Sequence, residues 1–326
     1  MMSPETVGLA RLDASGFIPA PGESSRDFLA RVSNSISRFS EFNQRLAEEG
    51  EAVVFDELLV KAADRIPDQL FDEAAEITGA RYGFAIRHVP GFFLSRAVGM
   101  LWGGCLIGDP DEGFSVFLIR GAFRSRTKWL FYRRSELMAH ELCHSARQPL
   151  LESTLEEYFA YQTSPSLLRR YLGNCFIHDR DAIIFIIPAL VLLAAQLVQL
   201  LWWPPLPIWP FWILALAYPA YLLRRNQLSR NIVKRAEKHL RACGVEAPEA
   251  VLFRCTLEEI RDLGVISNRA ALDEYSRRRA AVELRWQIID YRFINPPPPF
   301  SEPIGNEAVD PQKSSNPQEE ANHGIL

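Results

Sequence analysis

Apolar positions in this chain recur at helical spacing over long stretches, with one interval where polarity disappears. Phe28, Val32, Ile36, Phe39 and Phe42 fall on one face of a helix. A second run through Leu58, Val60 and Ile66 extends the helical reading over residues 26–79. Residues 80–134 change character and predict short strands between Gly turns: Tyr82 to Val89, Val98 to Ile107, and Phe114 to Arg120 before Gly121. Leu137, Met138, Leu142 and Ala146 then predict a helix over about 135–148, with Ser135 as N-cap and Pro149 stopping the run. Residues 227–292 read as charged helices. Leu272, Tyr275, Val282, Trp286 and Ile289 supply a face for packing on the preceding domain.

From Ala182 to Leu223 there are 42 residues without a charge. A single bilayer crossing needs about 20. Pro204, Pro205, Pro207 and Pro210 interrupt the run, and Trp202, Trp203, Trp209 and Trp212 cluster there, as aromatic residues do at a membrane interface. The pattern predicts a transmembrane helical hairpin over 181–224, with limbs at about 182–203 and 208–223. Arg169, Arg170 and Arg180 precede it; Arg224, Arg225, Arg230, Lys234 and Arg235 follow. Basic flanks on both sides place both ends in the cytoplasm. Residues 1–24 are polar, rich in Pro and Gly, and unlike a signal peptide, so they are expected to be disordered. The same is expected of the tail over 295–326, which opens on Pro296 to Pro299.

Composition narrows the function classes. With 326 residues and 48% hydrophobic content, the chain can build one enzyme domain, a membrane hairpin and a helical appendix. A net charge of −4 gives no argument for a nucleic-acid partner. Five scattered cysteines fit reduced thiols.

The candidate chemistry lies in His140-Glu141-Leu142-Cys143-His144. On a helix, positions i and i+4 share a face, so His140 and His144 can hold one zinc ion. Glu141, one residue on, can reach a zinc-bound water as general base. Cys143 points away and reads as packing. Zinc in a catalytic site takes three protein ligands. The chain offers carboxylates for the third, since only His178, His239 and His323 follow His144. Ser153-Thr154-Leu155-Glu156 fits a capping box that would turn Glu156 back onto its own helix, leaving Glu157 free.

The H-E-x-x-H helix followed by Glu157-Tyr158-Phe159-Ala160, an E-x-x-A segment, resembles the gluzincin class of zinc metallopeptidases over about residues 112–164. The resemblance implies an α+β zincin-like domain over 25–180, with His140, His144 and Glu157 as zinc ligands and Glu141 as general base. It also implies a protein or peptide substrate, held along an edge strand before the metal helix. Many gluzincins carry an acid four residues after the third ligand, orienting a histidine; this chain has Tyr161. The class further implies a Tyr or His that steadies the oxyanion, with Tyr158, Tyr161, His178 and Tyr275 as candidates. Kinship with the heat-shock and prenyl-processing membrane zinc proteases is loose, because there membrane helices intrude before the third ligand. The alternative is a membrane-anchored scaffold that binds metal or a partner without cleaving.

Overall fold

The computed structural model describes residues 4–55, 58–94, 102–109 and 114–297. Helix α1 (Pro4–Ala14) leads into α2 (Ser25–Glu49), which is capped by the Ser24 side chain accepting from the Asp27 N–H. Strands β1 (Glu51–Val54) and β2 (Leu58–Lys61) form an antiparallel pair, and α3 (Asp68–Tyr82) follows. A three-stranded sheet is built from β3 (Gly91–Leu94), β4 (Gly104–Asp109) and β5 (Phe114–Arg120), in the order β3-β5-β4. Strand β5 runs parallel to β3 and antiparallel to β4. A tight pair, β6 (Lys128–Trp129) and β7 (Tyr132–Arg133), delivers the chain into α4 (Arg134–Arg147). Then come α5 (Glu156–Tyr161), α6 (Leu167–Leu172), α7 (Asp179–Leu201), α8 (Trp209–Ala242) and four shorter helices, α9 (Pro248–Phe253) to α12 (Leu284–Ile289). The class is mixed α and β.

Several local expectations give way. The segment expected to be disordered over 1–24 contains α1, and Leu9, Phe17 and Ile18 are buried. Its Asp13 is fully buried because Arg254 lies 2.9 Å away and Arg292 also grips the carboxylate. A buried charge survives only when paired, and these partners are remote in sequence. Leu58 and Val60 belong to a strand pair, not to a helix, so the helical reading over 26–79 breaks after Glu49. Phe84 to Val89 is irregular chain, with β3 starting only at Gly91. Of the strand expected from Val98 to Ile107, residues 98–101 lie outside the described residues and β4 begins at Gly104.

The run 114–120 is the central strand instead of an edge. Val116 and Leu118 pack under α2 and the β1–β2 pair, while Phe117 and Ile119 face the core of α4 and the C-terminal helices. A strand buried on both faces reads as a continuous apolar run. The edge beside α4 is β4. Helix α4 starts one residue early, with Arg133 at the N-cap position, and Ser135 makes no cap.

One core joins Leu137, Met138 and Leu142 of α4, Tyr158 and Phe159 of α5, Val233 and Leu240 of α8, Phe253, and Trp286. The helices after the apolar interval thus help to hold the site helices. Arg147 is buried in this core; its guanidinium lies 4.5 Å from the Phe159 ring centre and donates to the Phe253 carbonyl.

Helix α7 has a mean hydropathy of 2.5 over its most apolar window, of which only 11% is buried. It is long and apolar enough to cross a membrane. Helix α8 packs against it and continues through Pro219 and residue 224 as one helix of 34 residues, so no break separates the apolar part from the charged part. Asp181 ties the two at their base, accepting from Tyr218 Oη at 2.8 Å and pairing with Arg225 at 2.6 Å. Gln199 donates to the Leu206 carbonyl at 2.8 Å in the connecting turn. Residues 298–326, most of the tail expected to be disordered, lie outside the described residues.

Candidate metal centre

Helix α4 presents His140 and His144 one turn apart, on the side facing α5. Helix α5 supplies Glu157 from its first turn. The two Nε2 atoms lie 3.2 Å apart; Glu157 Oε2 is 3.6 Å from His140 Nε2, and its Oε1 is 3.5 Å from His144 Nε2. Three donors bound at about 2.0–2.1 Å to one tetrahedral ion stand about 3.3–3.4 Å apart. The three side chains therefore already hold the spacing of a shared ion.

The hydrogen-bond network also fits a cation. His144 Nδ1 lies 3.1 Å from Glu156 Oε1, which assigns the ring proton to Nδ1 and leaves the Nε2 lone pair facing His140. A hydrogen bond to the Ala160 backbone raises the pKa of His140, the sign of an accepting carbonyl. With Nε2 turned to His144, Nδ1 is the nitrogen left to donate there. In that arrangement the two Nε2 atoms and the Glu157 carboxylate converge on one point that can hold a cation.

Burial is the main electrostatic influence. It lowers the pKa of His140 well below the usual histidine range, aided by His144 and Arg169. At His144 burial acts in the same direction, but the Glu156 hydrogen bond and the charges of Glu157 and Glu141 outweigh it, so the net shift is upward. Glu141 and Glu157 are both shifted upward, chiefly by burial.

Glu141 is buried beside the histidines, and its Oε2 accepts from the Leu106 N–H of β4 at 3.0 Å. The Gly103 carbonyl of the same strand end accepts from Arg120 of β5 at 2.9 Å. Backbone groups bonded to β5 alternate along β4 with groups turned to its free edge. Leu106 falls in the second set, so Glu141 sits at the open edge of the sheet.

The structure corrects the role expected of Glu156. Helix α5 has Leu155 at its N-cap position with no side-chain cap, and Glu156 instead reaches His144. Glu157 remains the carboxylate that meets both histidines, as the sequence reading expected. Tyr161 packs edge-on against His140, with ring centres 4.5 Å apart. Its close seat depends on Gly173, where a Cβ would fall 2.1 Å from the tyrosine ring. Burial pushes the Tyr161 hydroxyl up to about 12, so it stays a donor at neutral pH. Tyr158 is buried near Arg230, Tyr275 donates to Asp262 at 3.3 Å, and His178 sits at the start of α7. Of the four oxyanion candidates, only Tyr161 has a described ring contact with the triad.

Sequence reasoning missed two further contributors. Arg169 of α6 pairs with Glu136 of α4 at 2.5 Å and lies 5.8 Å from the Tyr161 ring centre, bracing the two helices. The Leu106 amide was invisible because strand pairing decides which backbone groups face outward. A separate cavity of about 480 Å³, lined in part by Phe17, His88, Ser145 and Gln148, contains no member of the triad. The donor atoms converge at the triad instead. No family model, curated protein or solved structure matches this chain.

Proposed function

We propose that this chain is a zinc-dependent peptidase anchored in a membrane, of the gluzincin kind its motifs resemble. The observation that carries the reading is the convergence of His140, His144 and Glu157 at mutual distances of 3.2–3.6 Å, with Glu141 beside them. A His₂Glu donor set suits zinc, which when bound lowers the pKa of a water and polarises a carbonyl. Glu141 takes the proton from the attacking water and passes it to the leaving amine. Burial shifts its pKa upward, which makes the ionised carboxylate a stronger acceptor for that proton. Glu156 fixes the His144 tautomer, and Tyr161 offers an O–H donor beside His140. The open edge of β4 provides backbone groups to an extended peptide.

Helices α7 and α8 form the anchor in this reading. Both basic ends stay on the cytoplasmic side, and the tryptophan-rich turn reaches the far interface. The case for a non-catalytic scaffold rested on Tyr161 replacing an acid. Glu156 supplies a carboxylate to His144 from another position, which weakens that case.

The test is Glu141→Gln in purified full-length protein, with metal analysis beside casein digestion. The variant is expected to keep stoichiometric zinc and lose about 10²–10⁴-fold in hydrolysis, because an amide cannot accept the proton. Equal hydrolysis by both proteins would sink the enzyme reading, and a wild type without bound metal would remove the metal site itself.

A further inference from the structure

Beside the base of α7 and α8 lies apolar surface that spans nothing. The β6–β7 turn carries Leu130, 52% exposed, and Phe131, 73% exposed. Leu130 has φ 49°, a left-handed conformation in which a branched side chain is strained. Helix α6 adds Leu167 at 76%, Leu168 at 66% and Leu172 at 40%. Phe176, 45% exposed, continues the surface onto α7 through an edge-on contact with Phe185 at 5.7 Å. The parts are held together: Arg169 donates to the Phe131 carbonyl at 3.3 Å, and Arg230 of α8 donates to the Arg170 carbonyl at 2.6 Å.

Water-soluble surface does not explain six large apolar side chains grouped this way. Charge points to what covers them. Between Gly121 and Ser135 there is no Asp or Glu, and Arg126, Lys128 and Arg133 are exposed around the turn. Arg180 and Arg224 are exposed at the helix bases. Apolar tips within a basic surround, continuous with a helix able to cross a bilayer, match an anionic lipid surface.

We propose that the β6–β7 turn and α6 form a second, non-spanning membrane contact, through which the domain carrying the triad seats on the bilayer that α7 and α8 enter. This rests on the membrane part of the reading above and not on catalysis. It places the triad close to lipid. Strand β7 runs directly into α4, and His140 lies two turns along that helix, roughly 10 Å from its start. A chain segment that reaches the triad then lies next to a bilayer surface.

Depth measurement on the full chain in lipid nanodiscs tests this. Phe131→Cys and, separately, Leu168→Cys carry an environment-sensitive nitrobenzoxadiazole label, and Trp203→Cys in the α7–α8 turn is the anchor control. Unsubstituted protein supplies the background from the native cysteines, four of which are buried. The discs are phosphatidylcholine with or without phosphatidylglycerol, and some carry nitroxide lipid. The expected result is blue-shifted emission and nitroxide quenching at 131 and 168, stronger with phosphatidylglycerol, together with quenching at 203. Quenching at 203 with water-like emission at 131 and 168 overturns the second contact while the anchor stands. Water-like emission at all three positions removes the anchor and the proposal together. Shielded labels at 131 and 168 that nitroxide lipid does not quench mean that protein, a second copy included, covers the surface, and this also overturns the proposal.

Discussion

Two helix pairs in this molecule are built to opposite rules. The α4–α5 pair buries polar groups: Glu136, Glu141 and Arg147 are inside, and His140, His144 and Glu157 meet in a cleft between the helices. The α7–α8 pair exposes apolar ones, with Ile183, Ile187, Leu190 and Leu193 each more than half exposed. A buried polar group is costly unless it is paired, and in the first pair Glu156 reaches His144, the Leu106 amide reaches Glu141, and Arg169 pairs with Glu136. The second pair has one polar tie at its base, Asp181 with Tyr218 and Arg225, and one in its turn. Its exposed face makes sense in a solvent that is itself apolar. The contrast leads to the expectation that metal binding and anchoring can be separated in this chain, although α8 runs unbroken from the apolar part into the core.

Deleting residues 182–223 and joining the ends with a short linker breaks the comparison most directly. The shortened protein is expected to change from an integral membrane protein to a peripheral one that alkaline carbonate extracts, and still to bind zinc; extraction with metal analysis reads both properties. A folded deletion variant that cannot bind metal shows that α7 and α8 help to build the site, and the separation fails.

Leu190→Lys asks what solvent α7 meets. Leu190 is 57% exposed, midway along the helix. A lysine at the centre of a membrane span costs about 2.5–3.5 kcal/mol of insertion. On a water-exposed surface the same change stays within about 0.5 kcal/mol. Membrane insertion measured for both proteins decides between them.

Acid sharpens the contrast, since the apolar span carries no titratable acid or histidine while the domain buries several. Burial lowers the His88 pKa to about 4, with the ring stacked on Phe17 at 3.9 Å. The native state resists a proton that the unfolded chain accepts near pH 6.5, so this contribution is full above 6.5. It is lost as pH falls toward 4. The loss is on the order of 3 kcal/mol. Denaturant unfolding between pH 7 and 4 is expected to show it, and His88→Phe is expected to flatten that part of the profile.

The smallest effect falls on Glu156. Glu156→Ala removes the carboxylate at His144 Nδ1 and is expected to weaken zinc binding about 10–100-fold without moving the ligands. A competition titration against a chelator measures it. Unchanged affinity means that the contact does not orient the ring.

What the sequence determined by itself was local and periodic. The i, i+4 spacing put His140 and His144 on one face, and 42 uncharged residues marked the apolar stretch. Each follows from the geometry of a single element. What only the tertiary structure decided depended on partners far along the chain. Asp13 becomes a core residue because Arg254 and Arg292 come to meet it, and α1 is ordered with it. Glu156 could satisfy a helix N-terminus or a histidine equally well, and the packing of α5 on α4 chose the histidine. Whether 114–120 lay at the centre or edge of its sheet depended on which strands flanked it, and burial on both faces settled that. Spacing is written in one stretch of chain, but a pairing takes two, and folding decides which two meet.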